Sequence, residues 1–121
     1  MKAGKVWGTT TLVRKSELIE IHYLVINPNS QCSLHKHQYK TNGFMVQSGT
    51  LTISVEKNDY ALVDNTVLGP GDYMEVRPNE YHRFISHGEV VLAWELYFPE
   101  GLTSDIIRKD CCSVLAAIAE A

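Results

Sequence analysis

The sequence predicts an all-β sandwich or barrel that is followed by one C-terminal helix. Short segments of alternating apolar and polar residues recur along most of the chain, and turn residues separate them about every ten positions. The last part of the chain differs, because its apolar residues recur at helical spacing: Ile107, Cys111, Leu115 and Ile118. A chain of 121 residues can bury one hydrophobic core, so we expect a single domain over residues 1–121.

The first half of the chain carries strand and turn patterns in succession. Residues 19–25 alternate, with the isoleucines, the tyrosine and the valine on the face that we expect to be more buried. A turn rich in asparagine and proline follows at 27–30. Residues 44–47 run into a Ser-Gly turn at 48–49, and alternation resumes over 51–55. This succession predicts a β-hairpin with its turn at 48–49.

The second half continues the β pattern up to the tail. The Gly-Pro-Gly-Asp sequence at 69–72 is a strong turn signal. The predicted strands on either side of it cover 60–68, 73–76, 81–86 and 90–98. In the tail, a Thr-Ser-Asp sequence can cap a helix that we expect within about residues 104–120. The apolar stripe of that helix is expected to pack on the barrel or on a second subunit.

Composition excludes several classes of function. A net charge of −3 and an isoelectric point near 5.9 argue against a nucleic-acid-binding face. No run of about eighteen apolar residues is present, which argues against a membrane span. The three cysteines, two of them adjacent, form no disulfide framework, and Cys32 is expected to be a small buried apolar residue. With no signal-peptide pattern, the expected location is cytoplasmic.

Three histidines form the candidate metal site. His35 and His37 are two positions apart, so on a β-strand both side chains would project from the same face. His82 is the candidate third ligand. Neutral imidazoles in such a group can hold one divalent metal ion. The two remaining histidines, His22 and His87, are expected at the surface.

Two stretches resemble the two conserved motifs of the cupins. In the first, the His-x-His pair is followed after four residues by Asn42, where cupins have a glutamate, and after six more by Gly49. In the second, Gly71 precedes His82, and Asn79 replaces a glycine. Asn29 likewise replaces the glycine that opens the first motif; asparagine tolerates the left-handed backbone conformation. The resemblance implies a double-stranded β-helix, or jelly-roll barrel, with the metal in its mouth.

The order of several shorter stretches is similar to the cupin domain of type II phosphomannose isomerases. The stretches are a Trp-Gly pair at 7–8, a Leu-x-x-His at 34–37, a His-Arg pair at 82–83 and an Asp-Ile-Ile-Arg at 105–108. This resemblance implies metal-assisted aldose–ketose isomerisation of a sugar phosphate by a homodimer. Lys40 takes the place of a family arginine, and Lys40, Arg83 and Arg108 are the residues that could meet the phosphate.

The general base is harder to assign. Glu95 is a candidate because Val91, Ala93 and Tyr97 share its face of a predicted strand, although that face can line the lumen or meet solvent. Lys40 is a second candidate catalytic residue. Arg83 can equally be a solvated charge, and for Lys40 a solvated charge is expected ahead of a phosphate contact.

The predicted ligands are His35, His37 and His82, with Asn42 as a weaker fourth. The expected cofactor is a divalent ion: zinc first, then nickel, iron or manganese. Because an amide at Asn42 contributes no charge, two other functions stay open. One is a three-histidine metal-dependent dioxygenase, and the other is a non-catalytic cupin that binds a sugar or another small ligand.

Overall fold

The computed structural model describes residues 1–57 and 62–99, and all regular structure in them is β. The nine strands are β1 (Lys2–Lys5), β2 (Gly8–Lys15), β3 (Glu20–Ile26), β4 (Lys40–Ser48), β5 (Leu51–Lys57), β6 (Leu62–Leu68), β7 (Tyr73–Val76), β8 (His82–Ser86) and β9 (Val91–Pro99). The all-β prediction is therefore confirmed. The predicted C-terminal helix and Arg108 lie outside the described residues. Within the described ranges, no helix is long and apolar enough to cross a membrane.

The strands form two antiparallel sheets that enclose the core between them. The larger sheet has the order β1-β2-β3-β9-β4-β7, and the smaller has the order β6-β5-β8. Fully or nearly fully buried side chains from both sheets meet inside: Leu24, Ile26, Phe44, Val46, Leu51, Ile53, Phe84, Val91 and Ala93. Burial of each large apolar side chain contributes about 1.5–3 kcal/mol, so this layer holds the sheets together.

The predicted hairpin at 48–49 is wrong, although the turn itself is present. β4 pairs with β7 and β9, whereas β5 pairs with β6 and β8. The turn therefore carries the chain from one sheet to the other. Gly49 has φ of 88°, and a Cβ atom there would lie 2.7 Å from the carbonyl oxygen of Val90. A crossing this close to another backbone requires glycine.

The prediction that asparagine stands in for two glycines is confirmed. Among the described residues, Asn29 and Asn79 are the non-glycine residues with positive φ, at 52° and 67°. The amide of Asn79 donates to the carbonyl oxygen of His37 at 2.7 Å. The turn before β8 is thereby tied to the backbone of a candidate metal ligand.

Candidate metal centre

The sequence pattern predicted a regular strand for the segment that carries His35 and His37. This prediction is wrong. Between β3 and β4 the chain forms isolated bridges at Gln31 and His35. His35 is bridged to His82, the first residue of β8: each amide donates to the other carbonyl oxygen, at 3.0 and 2.8 Å. Two hydrogen bonds between main chains therefore set the separation of these two histidines.

The three imidazoles converge on one point. One ring nitrogen from each of His35, His37 and His82 lies within 4.8 Å of the other two. Nδ1 of His35 is 2.7 Å from the Ser33 carbonyl oxygen, and Nδ1 of His82 is 2.9 Å from that of Glu80. In the neutral rings these Nδ1–H groups donate to the carbonyls, which leaves Nε2 of each ring with a lone pair for a metal.

His37 supplies the clearest sign that the group suits a cation. Its Nε2 atom is buried and has no hydrogen-bond partner among the described residues. Burial, followed by the nearby His35 and His82, lowers the pKa of His37 to about 4. Burial also lowers the pKa of His82. Both rings are therefore neutral at pH 7, which is the form that binds a metal, so the three-histidine group can hold a divalent ion.

Asn42 lies beside this group and is fully buried. Its Nδ2 donates to the Leu96 carbonyl oxygen at 3.3 Å, and its Oδ1 is 3.0 Å from Nε2 of His82. With the His82 proton on Nδ1, both atoms of that second contact are acceptors and repel each other. A cation held by both atoms would remove the repulsion, because an imidazole nitrogen and an amide oxygen can each serve as its ligand.

Two of the three histidines, His35 and His37, line a cavity of about 620 Å³. One wall is largely apolar and consists of Val6, Trp7, Cys32 and Phe84. The facing wall is polar and consists of Thr10, Glu20, His22, Lys40, Glu95 and Tyr97. Trp7 packs edge-on against Phe84 with ring centroids 4.9 Å apart. The cavity therefore offers an apolar face and a hydrogen-bonding face to a small polar molecule.

Glu95 faces this cavity from β9, which resolves the question that the strand pattern left open. Its side chain is 9% exposed. Burial raises the pKa of Glu95 above its usual value, while hydrogen bonds from Tyr97 and Asn42 act in the opposite direction. Burial beside Glu95 also raises the pKa of Tyr97. A buried carboxyl group with a raised pKa beside a cavity is a candidate general acid or base.

The predicted phosphate-binding residues are placed unequally. Lys40 is the first residue of β4 and lines the cavity, with Nζ 5.6 Å from the centroid of the Tyr97 ring. Arg83 lies between His82 and Phe84 on β8, so its side chain projects from the opposite face, and it is not among the cavity-lining residues. Of the three predicted phosphate-binding residues, Lys40 is therefore the one that the described structure has at the cavity.

The sequence interpretation missed His22, which was expected at the surface. β3 was expected to bury its odd-numbered face, but Leu24 and Ile26 are the residues fully enclosed in the core. His22 and Glu20 share that inner face and line the cavity. Glu20 and His22 have even numbers, as do the apolar residues Leu24 and Ile26 before the turn. Because alternate residues of a strand share a face, this pattern could have identified Glu20 and His22 as inward-facing.

Comparison with known proteins identifies the family. The family model for the cupin domain matches residues 22–98. The chain belongs to the cupin family. A comparison with curated protein sequences found no match.

Solved structures show the same fold at low sequence identity. The chain is similar to KdgF from Halomonas sp., with a TM-score of 0.68 and 14% identity over 80% of this chain and 84% of that one. It is also similar to the oxalate decarboxylase of Bacillus subtilis, with a TM-score of 0.70 and 14% identity over 85% and 28% of the two chains. For CapF, the capsular polysaccharide assembling protein of Staphylococcus aureus, the TM-score is 0.72 and the identity 13% over 85% and 29%.

Proposed function

We propose that this cupin binds a divalent metal ion and isomerises a small hydroxy-carbonyl substrate of the sugar-phosphate class. One observation carries the proposal: a group of three convergent histidine nitrogens borders, through His35 and His37, the cavity that the buried carboxyl group of Glu95 lines. The resemblance to type II phosphomannose isomerases supports the choice of reaction. The homodimer that the same resemblance implies is part of the proposal and can be measured by sedimentation equilibrium.

The proposed ligands are His35, His37 and His82, with Asn42 Oδ1 as a fourth. A divalent ion bound there supplies Lewis-acid polarisation of the substrate carbonyl. Zinc is the first candidate because it accepts three imidazoles and leaves a position open. Nickel, iron and manganese follow; manganese(II) centres are named for the similar oxalate decarboxylase of B. subtilis.

Two residues of the polar wall have proposed roles toward the substrate. As a carboxylate, Glu95 takes the proton from the carbon next to the carbonyl and later returns it to the neighbouring carbon. Tyr97 and Asn42 hold the Glu95 carboxyl group in place by hydrogen bonds. Lys40 is exposed at the cavity edge, where its ammonium group can meet the substrate phosphate. The apolar wall beside Trp7 can pack against the C–H face of a sugar, and CapF is named for polysaccharide assembly.

The test combines metal analysis with hydrogen exchange. Protein saturated with zinc is incubated with mannose 6-phosphate in D₂O, and NMR follows deuterium at C1 and C2 together with ketose formation. We expect one metal per chain, deuterium incorporation and conversion. Glu95→Gln should lower both rates at least ~100-fold while metal content is unchanged. The exposed Glu89→Gln is the matched control. Absence of metal after supplementation, or equal rates in the Glu95 variant, would contradict the proposal.

A second candidate function is oxidation by a three-histidine iron site. The observation that favours it is the ligand set: Asn42, which takes the place of the cupin glutamate in the sequence motif, is a neutral amide whose Oδ1 lies 3.0 Å from Nε2 of His82. Iron-loaded protein that consumes oxygen with an organic substrate, and zinc-loaded protein that exchanges no carbon-bound hydrogen, would select this function. A protein that binds sugars without either reaction would be a non-catalytic cupin.

A further inference from the structure

We propose that Glu20 and His22 form a second proton-transfer site in the cavity, which exchanges protons with the substrate oxygens. This inference rests on the proposed isomerase function and adds a catalytic group to it. The sequence motifs of the family include neither residue. Their place in the described structure, on the wall that faces the substrate cavity, is what identifies them.

The pair has the geometry of an oriented imidazole. Nε2 of His22 is 2.6 Å from Oε2 of Glu20, and the two side chains are 18% and 20% exposed. A hydrogen bond this short to a partly buried carboxylate keeps the proton on Nε2 and leaves Nδ1 as the exchanging atom. The neighbour of Nδ1 is the Thr10 hydroxyl at 3.4 Å, and all three residues line the cavity. This long contact leaves Nδ1 open to a substrate hydroxyl.

The pair lies directly beside the proposed base. In the β3–β9 ladder His22 is opposite Glu95 and Glu20 is opposite Tyr97. Side chains opposite each other in an antiparallel pair have Cβ atoms about 4.5–5.5 Å apart on the same face. The Tyr97 ring touches His22 on one side and His37 on the other, with centroids 5.7 and 4.9 Å apart. One small substrate held at the histidine cluster can therefore reach both Glu95 and His22.

Glu20 places a carboxylate next to the His22 imidazole. The hydrogen bond with His22 lowers the pKa of Glu20, while burial opposes this shift. Glu20 is also 3.8 Å from Nζ of Lys15, which is mostly exposed. The other groups that face His22 are Glu95 and Tyr97 from β9 and the Thr10 hydroxyl from β2. An ionised Glu20 therefore stabilises the imidazolium that proton uptake creates.

The steps balance for an open-chain aldose. The Glu95 carboxylate takes the C2 proton, the C2–H electron pair forms the C1=C2 bond, and the C1=O π pair moves onto O1. Neutral His22 takes the O2 proton at Nδ1 and gives it to O1, and the electron pair left on O2 forms the C2=O bond. The C1=C2 pair takes the proton back from Glu95 at C1. The product is the ketose, and Glu95 and His22 return to their first states.

The decisive measurement observes His22 without requiring turnover. In zinc-loaded protein, ¹⁵N NMR of the imidazoles is recorded before and after addition of acetohydroxamate, whose adjacent oxygens mimic an enediolate. We expect the Nδ1 resonance of His22 to shift and that of His87 to stay in place. His87 is the matched control, because it is exposed, bonds to Thr52 and does not line the cavity. Glu20→Gln should change the tautomer that His22 populates in the free protein.

Kinetics separates this inference from the proposed function. With mannose 6-phosphate, His22→Gln should lower conversion ~100-fold while zinc content stays at the wild-type value, and His87→Gln should convert normally. An unmoved His22 resonance, or wild-type conversion by His22→Gln, would overturn the second site. A shifted His22 resonance in a protein that converts no sugar phosphate would instead overturn the isomerase proposal and retain the ligand contact at His22.

Discussion

At the scale of single residues, Asn42 decides what kind of ion the site prefers. Three neutral imidazoles and one amide leave the charge of a divalent ion uncompensated. The amide is nevertheless fully buried and directed at His82. With the proposed ligand set, which is mostly nitrogen, we expect zinc, nickel and iron to bind more tightly than manganese and magnesium.

Asn42→Asp is expected to tighten metal binding, because a carboxylate keeps the size of the amide and adds a charge beside His82. The affinity gain should be largest for manganese, since hard ions prefer carboxylate oxygen. Competition with a fluorescent chelator measures it, with Asn42→Ala as the control that should bind more weakly than wild type. An unchanged manganese affinity in the aspartate variant would show that Oδ1 is not a ligand.

The metal-free protein is expected to lose stability as the pH falls from about 6.5 to 4. The pKa of His37 is lowered to about 4 in the folded state, so the unfolded chain takes up a proton first. The stability contributed by the neutral His37 ring is fully present above pH 6.5 and declines as the pH falls from 6.5 to 4. His37→Gln should lose about 1–2 kcal/mol less than wild type, after allowance for solvent screening. Urea unfolding in the presence of a chelator gives both curves, and parallel curves would contradict the assignment.

At the scale of elements, local patterns predicted the strands but not their partners. Residues 73–76 were predicted as a strand and form β7. β8 begins one residue later than predicted, and β9 both begins and ends one residue later than predicted. The pairing of β4 with β9 joins segments that are far apart in the chain, so no local pattern could reveal it. The inner face of β3 was misassigned because its outer residues, among them Tyr23, are equally apolar.

For the candidate metal ligands, too, the sequence pattern identified the residues but not the backbone structure that holds them. The spacing of His35 and His37, together with the cupin motifs, was enough to identify all three histidines. The prediction that His35 and His37 share a regular strand was wrong, because the main chain of His35 forms only an isolated bridge to β8. The strand pattern identified Glu95 as a candidate residue but did not show where its side chain points. That direction depends on which face of β9 the other sheet covers.

Gly49→Ala is expected to destabilise the protein by about 1–3 kcal/mol. The residue has φ of 88°, and its new Cβ would press on the Val90 carbonyl where the chain passes between sheets. Gly88→Ala is the matched control, because no atom lies within 4 Å of a Cβ added there. Thermal unfolding of the two variants should differ by several degrees. Equal midpoints would show that the crossing can adapt.

At the scale of the whole molecule, the candidate metal site lies across the two sheets. His82 belongs to the smaller sheet and the main chain of His35 is bonded to it, whereas Asn42 lies on β4 of the larger sheet. A bound ion would therefore link the sheets at one end of the core.

Metal is accordingly expected to raise the unfolding temperature of the whole domain. At a free concentration 100 times Kd, linkage stabilises the folded state by about 2.7 kcal/mol, or on the order of 10 °C. Calorimetry of the metal-free protein with and without zinc measures the shift. His82→Ala should abolish it, and His87→Ala should leave it intact. A shift that persists in His82→Ala would place the ion elsewhere.

Because His35 and His82 are joined through main-chain atoms, the position of these two residues does not depend on their side chains. The two hydrogen bonds join main-chain atoms, so they are available to almost any residue at positions 35 and 82. A substitution there can change what the site binds without moving the backbone that presents it. The main-chain frame of the site can thus stay the same while the donor atoms at these two positions change.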